Sequence, residues 1–121
     1  MLRTLAFLFF LTLPVTAQAA DLKVLFEEAN AHLYEGRFSD AVKSYEILRS
    51  DYGVESPSIY YNLGVTYLRK GELGKAIWAF ERTLLRGPSK QLEADARANL
   101  ALVRTRLKEA HRKSGARSQV V

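Results

Sequence analysis

The sequence predicts an all-α protein, a short solenoid of antiparallel helix pairs with five helices. Three observations predict it. First, Gly36, Ala41 and Tyr45 recur 35 positions later as Gly71, Ala76 and Phe80. This small, small, aromatic set suits a tight turn between paired helices: glycine turns the chain, alanine keeps the helices close and the ring fills the wedge between them. Each such unit leaves an apolar flank that only a neighbouring unit can cover, so a repeat near this length reads as a solenoid. Second, the apolar residues follow helical spacing, with no alternating run of strand length. Third, start and stop signals such as Ser56-Pro57 and Gly87-Pro88 punctuate the chain at helix-length intervals.

Residues 1–19 read as a signal peptide. Arg3 gives a positive start, Leu5 to Leu13 form a short apolar core, Pro14 breaks it and Ala17-Gln18-Ala19 sets the cut before Ala20. The alternative is an uncleaved N-terminal membrane anchor, although the apolar run is shorter than the roughly 20 residues a spanning helix needs. No cysteine follows, which excludes lipoprotein processing, disulfides and thiolate chemistry. An exported chain of this kind fits a bacterial periplasm.

In the mature chain, Asp21 is the expected N-cap of a first helix, Leu22 to about Tyr34, ended by Gly36. The second is expected from Phe38 to Tyr52, closed by Gly53. Ser56 caps the third, Pro57 to Lys70, with proline at the first helical position where its missing N–H costs nothing. The fourth runs from Leu73 to Arg86 and stops at Gly87-Pro88. The fifth spans about Gln91 to Ala110 through Leu92, Ala96, Leu100, Val103 and Leu107.

The domain division that follows is a repeat domain over 20–111, with units at 22–55 and 57–90 and a capping helix at 91–111, then a disordered basic tail at 112–121. There is length for one small core and too little for two. The formal net charge of +5 belongs to the C-terminal segment, where Arg104, Arg106, Lys108, Arg112, Lys113 and Arg117 face the single acid Glu109. Those cations suit the negative end of a helix dipole, and the functional alternative is contact with an anionic membrane surface. Nucleic acid is not expected, because the leader directs the chain away from it and no aromatic residues interleave the cations.

Asn62-Leu63-Gly64, Tyr67, Gly71, Ala76, Phe80 and Pro88 stand at the spacings of the tetratricopeptide repeat (TPR), which this sequence resembles over essentially its whole mature length. Thr83 replaces the usual alanine, and the first unit is more degenerate, with His32 where tyrosine is usual. Asn99-Leu100-Ala101 echo Asn62-Leu63-Gly64, so the last helix looks like half of a third unit. Tyr60-Tyr61-Asn62-Leu63-Gly64, the run Gly71 to Ile77 and Asp95 to Leu100 are also similar to the repeat region of bacterial aerotolerance-operon (Bat) proteins, BatE-like ones in particular. That narrower resemblance implies export or membrane association.

The resemblance further implies that the first helix of each unit lines a concave groove. By position, the partner-binding groove would take Phe26, Asn30, Leu33 and Tyr34 from the first unit and Tyr61, Asn62, Val65, Leu68 and Arg69 from the second. Ala98, Asn99, Leu102 and Arg106 would follow from the half unit. Asn30 and Asn62 match two positions of the family's carboxylate clamp, but its cationic positions are here Phe26, Asp95 and Asn99, so no clamp is expected.

Catalysis has little to stand on. His32 falls on a packing face and His111 in the basic tail, and no metal-spaced cluster or catalytic triad stands out. Gly71-Glu72-Leu73-Gly74-Lys75-Ala76 lacks the spacing, the Ser/Thr and the preceding strand of a phosphate loop. The expectation is a non-enzymatic exported adaptor that needs no cofactor or metal and binds a protein or peptide. The alternatives are a structural subunit that self-associates through its last helix, and a tether whose basic tail touches anionic membrane.

Overall fold

The first helix runs through the residue expected to cap it. In the computed structural model, which describes residues 15–120, α1 spans Val15–Tyr34 with Asp21 in its interior. Nothing between Val15 and Asp21 breaks a helix, and alanine, the best helix former, recurs there. Gln18, Ala19 and Ala20 are exposed, so propensity and not packing holds this turn. The charged start and apolar core of the expected signal peptide lie outside the described residues.

The remaining helices are α2 (Phe38–Glu46), α3 (Pro57–Lys70), α4 (Leu73–Leu85) and α5 (Lys90–Ser118). The two units turn in the same way. Gly36 and Gly71 both have φ of +76°, a left-handed conformation that disfavours a side chain. In the first turn the Arg37 N–H reaches the His32 carbonyl at 2.9 Å, and in the second the Glu72 N–H reaches the Tyr67 carbonyl at 2.9 Å. Ser56 accepts the Ser58 N–H at 3.2 Å and Ser89 accepts the Leu92 N–H at 3.2 Å, satisfying donors at the starts of α3 and α5.

Two ends depart from the sequence expectation. The second helix leaves α geometry at Ile47 and finishes as a π-helical turn, Ile47–Asp51, closed by the Tyr52 N–H on the Ile47 carbonyl at 3.3 Å. There the Ser50 hydroxyl donates to the Glu46 carbonyl at 2.6 Å, competing with the backbone for the same acceptor. The tail expected to be disordered over 112–121 is instead helical through Ser118. Ala110, Arg112, Lys113, Ala116 and Arg117 are good helix formers, and Gly115 alone does not outweigh them.

The helices stack in chain order, α1 on α2, α2 on α3, α3 on α4 and α4 on α5. Their shared core centres on Ala29, Ala41, Tyr45, Leu63, Ala76, Ala79 and Phe80, with Ala96 and Val103 closing it from α5. The hydroxyls of Thr66 and Thr83 are buried but satisfied, donating to the Asn62 and Ala79 carbonyls.

The register of α5 explains how the solenoid ends. Advancing Ile59, Leu63 and Thr66 of α3 by 37 positions gives Ala96, Leu100 and Val103, and all six are buried. The second buried row of α3, Tyr60, Gly64 and Tyr67, advances to Arg97, Ala101 and Arg104, all exposed. Arg97 pairs with Glu93 at 2.7 Å and Arg104 with Glu81 at 2.7 Å. The face that would receive another helix is polar and internally paired, so α5 caps the stack. At that end Leu85 is exposed, and Leu84, Leu85 and Leu100 share a shallow cleft with Glu81, Arg97 and Arg104.

Candidate functional site: the concave groove

Because α1, α3 and α5 are all inner helices in the same register, their groove-side rows lie next to one another. Leu33, Tyr34, Tyr61, Asn62, Val65 and Arg69 line a cleft of about 250 Å³ between α1 and α3. Tyr61, Val65, Leu68, Arg69, Asn99, Leu102 and Arg106 line one of about 500 Å³ between α3 and α5. Tyr61, Val65 and Arg69 belong to both, which makes the two clefts one groove crossing all three helices.

Three residues expected in the groove are not among its lining: Ala98 is exposed beside it, and Phe26 and Asn30 serve the frame. Phe26 sets its ring edge-on to buried Tyr45, centroids 6.2 Å apart, and opens onto a separate apolar cleft with Leu22, Leu48 and Ile59. Asn30 is committed to the frame: its Oδ1 accepts the Tyr45 hydroxyl at 2.6 Å and the Asn62 Nδ2 at 2.8 Å. The asparagine pair that resembles half of a carboxylate clamp therefore joins the two repeats. Asn62 also lines the cleft between α1 and α3.

Tyr61 is half-buried at the centre. Its ring lies 5.7 Å from Phe80 and its hydroxyl accepts the Asn99 Nδ2 at 3.1 Å. Burial raises its pKa, the Asp95 carboxylate adds to the rise and the bond from Asn99 opposes it, so the phenol stays neutral. Tyr61 and Asn62 are thus structural as well as groove-lining. The exposed apolar side chains of the groove are Tyr34, 88% exposed, and Leu102, 42% exposed.

The electrostatics are one-sided. No acid lines either cleft. Arg69 and Arg106 are exposed and form no ion pair among the described residues, whereas Arg37, Arg49, Arg86, Arg97 and Arg104 are each paired with a glutamate. The nearby carboxylate of Asp95 is engaged by Gln91 at 3.0 Å.

The convex side carries a cluster that sequence spacing does not single out. Trp78 stands edge-on to Tyr60, centroids 5.7 Å apart, with the Arg49 and Arg82 guanidiniums 6.0 and 5.9 Å from its ring. Arg86 lies over Tyr60 and pairs with Glu55, which also accepts the Tyr60 hydroxyl. This lattice stiffens the outer surface.

For chemistry the arrangement offers little. His32 is half-buried with Nε2 3.6 Å from Glu28, and His111 is exposed. No group of three His, Asp or Glu among the described residues could hold a metal ion.

A continuous groove on stacked helical hairpins defines a class of protein, the helical-repeat interaction scaffold. The profile of the tetratricopeptide repeat family matches residues 26–91, more than half of the chain, from within α1 to the start of α5. The chain belongs to the tetratricopeptide repeat family, whose fold generally serves protein–protein interaction. No curated protein matched the chain.

Proposed function

We propose that this protein is an exported adaptor that holds a peptide or protein segment of a partner in its concave groove, within a bacterial envelope assembly. The observation that carries the reading is the groove itself, where exposed apolar side chains, Tyr34 and Leu102, stand beside unpaired Arg69 and Arg106. Apolar anchors next to unsatisfied polar groups are the composition of a binding surface. Polar and apolar groove groups can engage a partner, and the tetratricopeptide fold generally serves protein–protein interaction, which favours scaffolding.

Export rests on the leader sequence. A cut after Ala19 fits the fold, because Gln18 and Ala19 are exposed and carry no packing. A role in aerotolerance or envelope stress rests on the Bat-like resemblance of the repeat region alone.

Affinity capture from envelope extract tests the reading, with the mature protein compared against Tyr34→Ala/Leu102→Asp. Both positions are exposed, so the double variant keeps its helicity and loses the captured partner. Unchanged capture would sink the groove model. Cell fractionation with a mass measurement of the N-terminus tests export, and a retained Met1 in the cytoplasmic fraction would contradict it.

A further inference from the structure

We infer that the groove selects acidic segments, taking a partner whose Asp or Glu side chains flank an apolar anchor; this rests on the groove reading above. The cleft between α3 and α5 offers an apolar floor of Val65, Leu68 and Leu102, with an arginine on each wall, Arg69 and Arg106. Neither arginine has an ion-pair partner among the described residues, and no acid lines the cleft. Two exposed guanidiniums facing one channel repel each other unless an anion lies between them, and a guanidinium fork matches a carboxylate.

The charge does not stop at the cleft. Lys113 and Arg117 follow Arg106 at seven and eleven positions along α5, which is helical and exposed there. Those spacings return to the same side of a helix, about 10 and 16 Å beyond Arg106. Arg69, Arg106, Lys113 and Arg117 therefore form a basic row that leads out of the groove along its capping helix. Glu109 is the one acid on this stretch and pairs with none of them within 4.0 Å. An acidic segment anchored by an apolar residue in the cleft runs along this row. Partner side-chain carboxylates supply the charge, and no C-terminal carboxylate is required.

Fluorescence anisotropy of labelled peptides tests this. The probes are acetylated, amidated peptides in which leucine and tyrosine alternate with glutamate, and matched peptides carrying glutamine or lysine instead. The mature protein should bind the glutamate peptide about tenfold more tightly than the glutamine peptide, as a few exposed ion pairs provide. Arg69→Ala/Arg106→Ala should cut that preference severalfold. Arg69→Glu/Arg106→Glu should transfer the preference to the lysine peptide. Both arginines are exposed, so circular dichroism should show an intact fold.

Equal binding of the glutamate and glutamine peptides would overturn the inference and leave the groove reading standing. A glutamate preference undiminished by both arginine substitutions would also overturn it. If Tyr34→Ala/Leu102→Ala leaves binding of every peptide unchanged, the groove reading fails and the inference with it. No binding of the glutamate peptide up to about 1 mM, the weak end of specific association, also overturns it. So does pelleting with phosphatidylglycerol vesicles that depends on Arg69 and Arg106 without any glutamate preference among the peptides, which would assign the cations to a lipid surface.

Discussion

Asn62 donates its side-chain amide to Asn30 at 2.8 Å, across 32 residues of chain and between the inner helices of the two repeats. The same Asn30 oxygen accepts the Tyr45 hydroxyl at 2.6 Å. One oxygen thus ties α1 to α2 and to α3 directly beneath the groove. Stability of the stack and shape of the groove meet at this atom.

Removing that acceptor should be costly. Asn30→Ala strands two partly buried donors and is expected to lower stability by about 2 kcal/mol, the usual scale for unsatisfied polar groups. Asn30→Asp keeps an acceptor for both and should lose less. Urea unfolding of the two variants decides it, and an Asn30→Ala protein as stable as the wild type would refute the role.

Gly64 and Phe80 set the spacing of the second hairpin. A Cβ at Gly64 would lie 2.6 Å from Cε1 and 2.7 Å from Cδ1 of the Phe80 ring, too close without a shift. Phe80 is buried against Tyr61 and has little room to move. Gly64→Ala should therefore destabilise by about 1–3 kcal/mol, the usual cost of overpacking. Phe80→Leu in the same chain should recover part of the loss. Thermal melts of the single and double variants measure this, and a neutral Gly64→Ala would contradict the geometry.

Alkali should loosen the first repeat. Burial pushes the Tyr45 hydroxyl up to about 12 from 10.0, and burial also raises Tyr61 and Tyr67. The folded state holds these protons more tightly than the unfolded chain does. The stabilisation is fully present below pH 10 and is lost as pH rises toward 12, with Tyr45 contributing about 2–3 kcal/mol. Urea midpoints at pH 9 and near pH 11.5 should differ, and Tyr45→Phe should flatten the difference. A midpoint independent of pH over this range would rule the effect out.

The projecting end of α5 should be dispensable for folding. Val103 is the last buried residue and Leu107 is half-buried; everything after Leu107 as far as Val120 is exposed. Deleting Arg112–Val121 should leave stability within about 0.5 kcal/mol of the chain that keeps it. Helical ellipticity should fall by the share of the removed turns. A large drop in melting temperature would mean the segment packs on the domain.

These features differ in how far the sequence exposes them. The turns at Gly36 and Gly71 are legible because a φ of +76° leaves few residue types to choose from. The start at Ser56-Pro57 is legible because both signals are local. The early start of α1 and the late end of α5 are not, since Asp21 is also tolerated inside a helix and a basic run without proline can remain helical. The π-helical turn at Ile47–Asp51 has no residue signature at all.

Ten of the thirteen expected groove residues line the two clefts, because helix register alone places them; Ala98 is exposed but lines neither. Asn30 and Phe26 fall outside because their placement depends on Tyr45, a contact across the hairpin that spacing within α1 does not reveal. The heptad step from Arg106 to Lys113 is visible in the sequence, but it gains meaning only once α5 is seen to continue past His111.

The claim that the concave groove is the working face is tested most directly by site-specific photocrosslinking in the native cell. A benzophenone side chain is placed at position 34 or 102 in the groove, and in separate controls at position 52 or 85, where exposed Tyr52 and Leu85 lie outside it. Illumination should yield a discrete protein adduct from positions 34 and 102 and none from 52 and 85. The same adduct from all four positions, or adducts only from 52 and 85, would contradict the account.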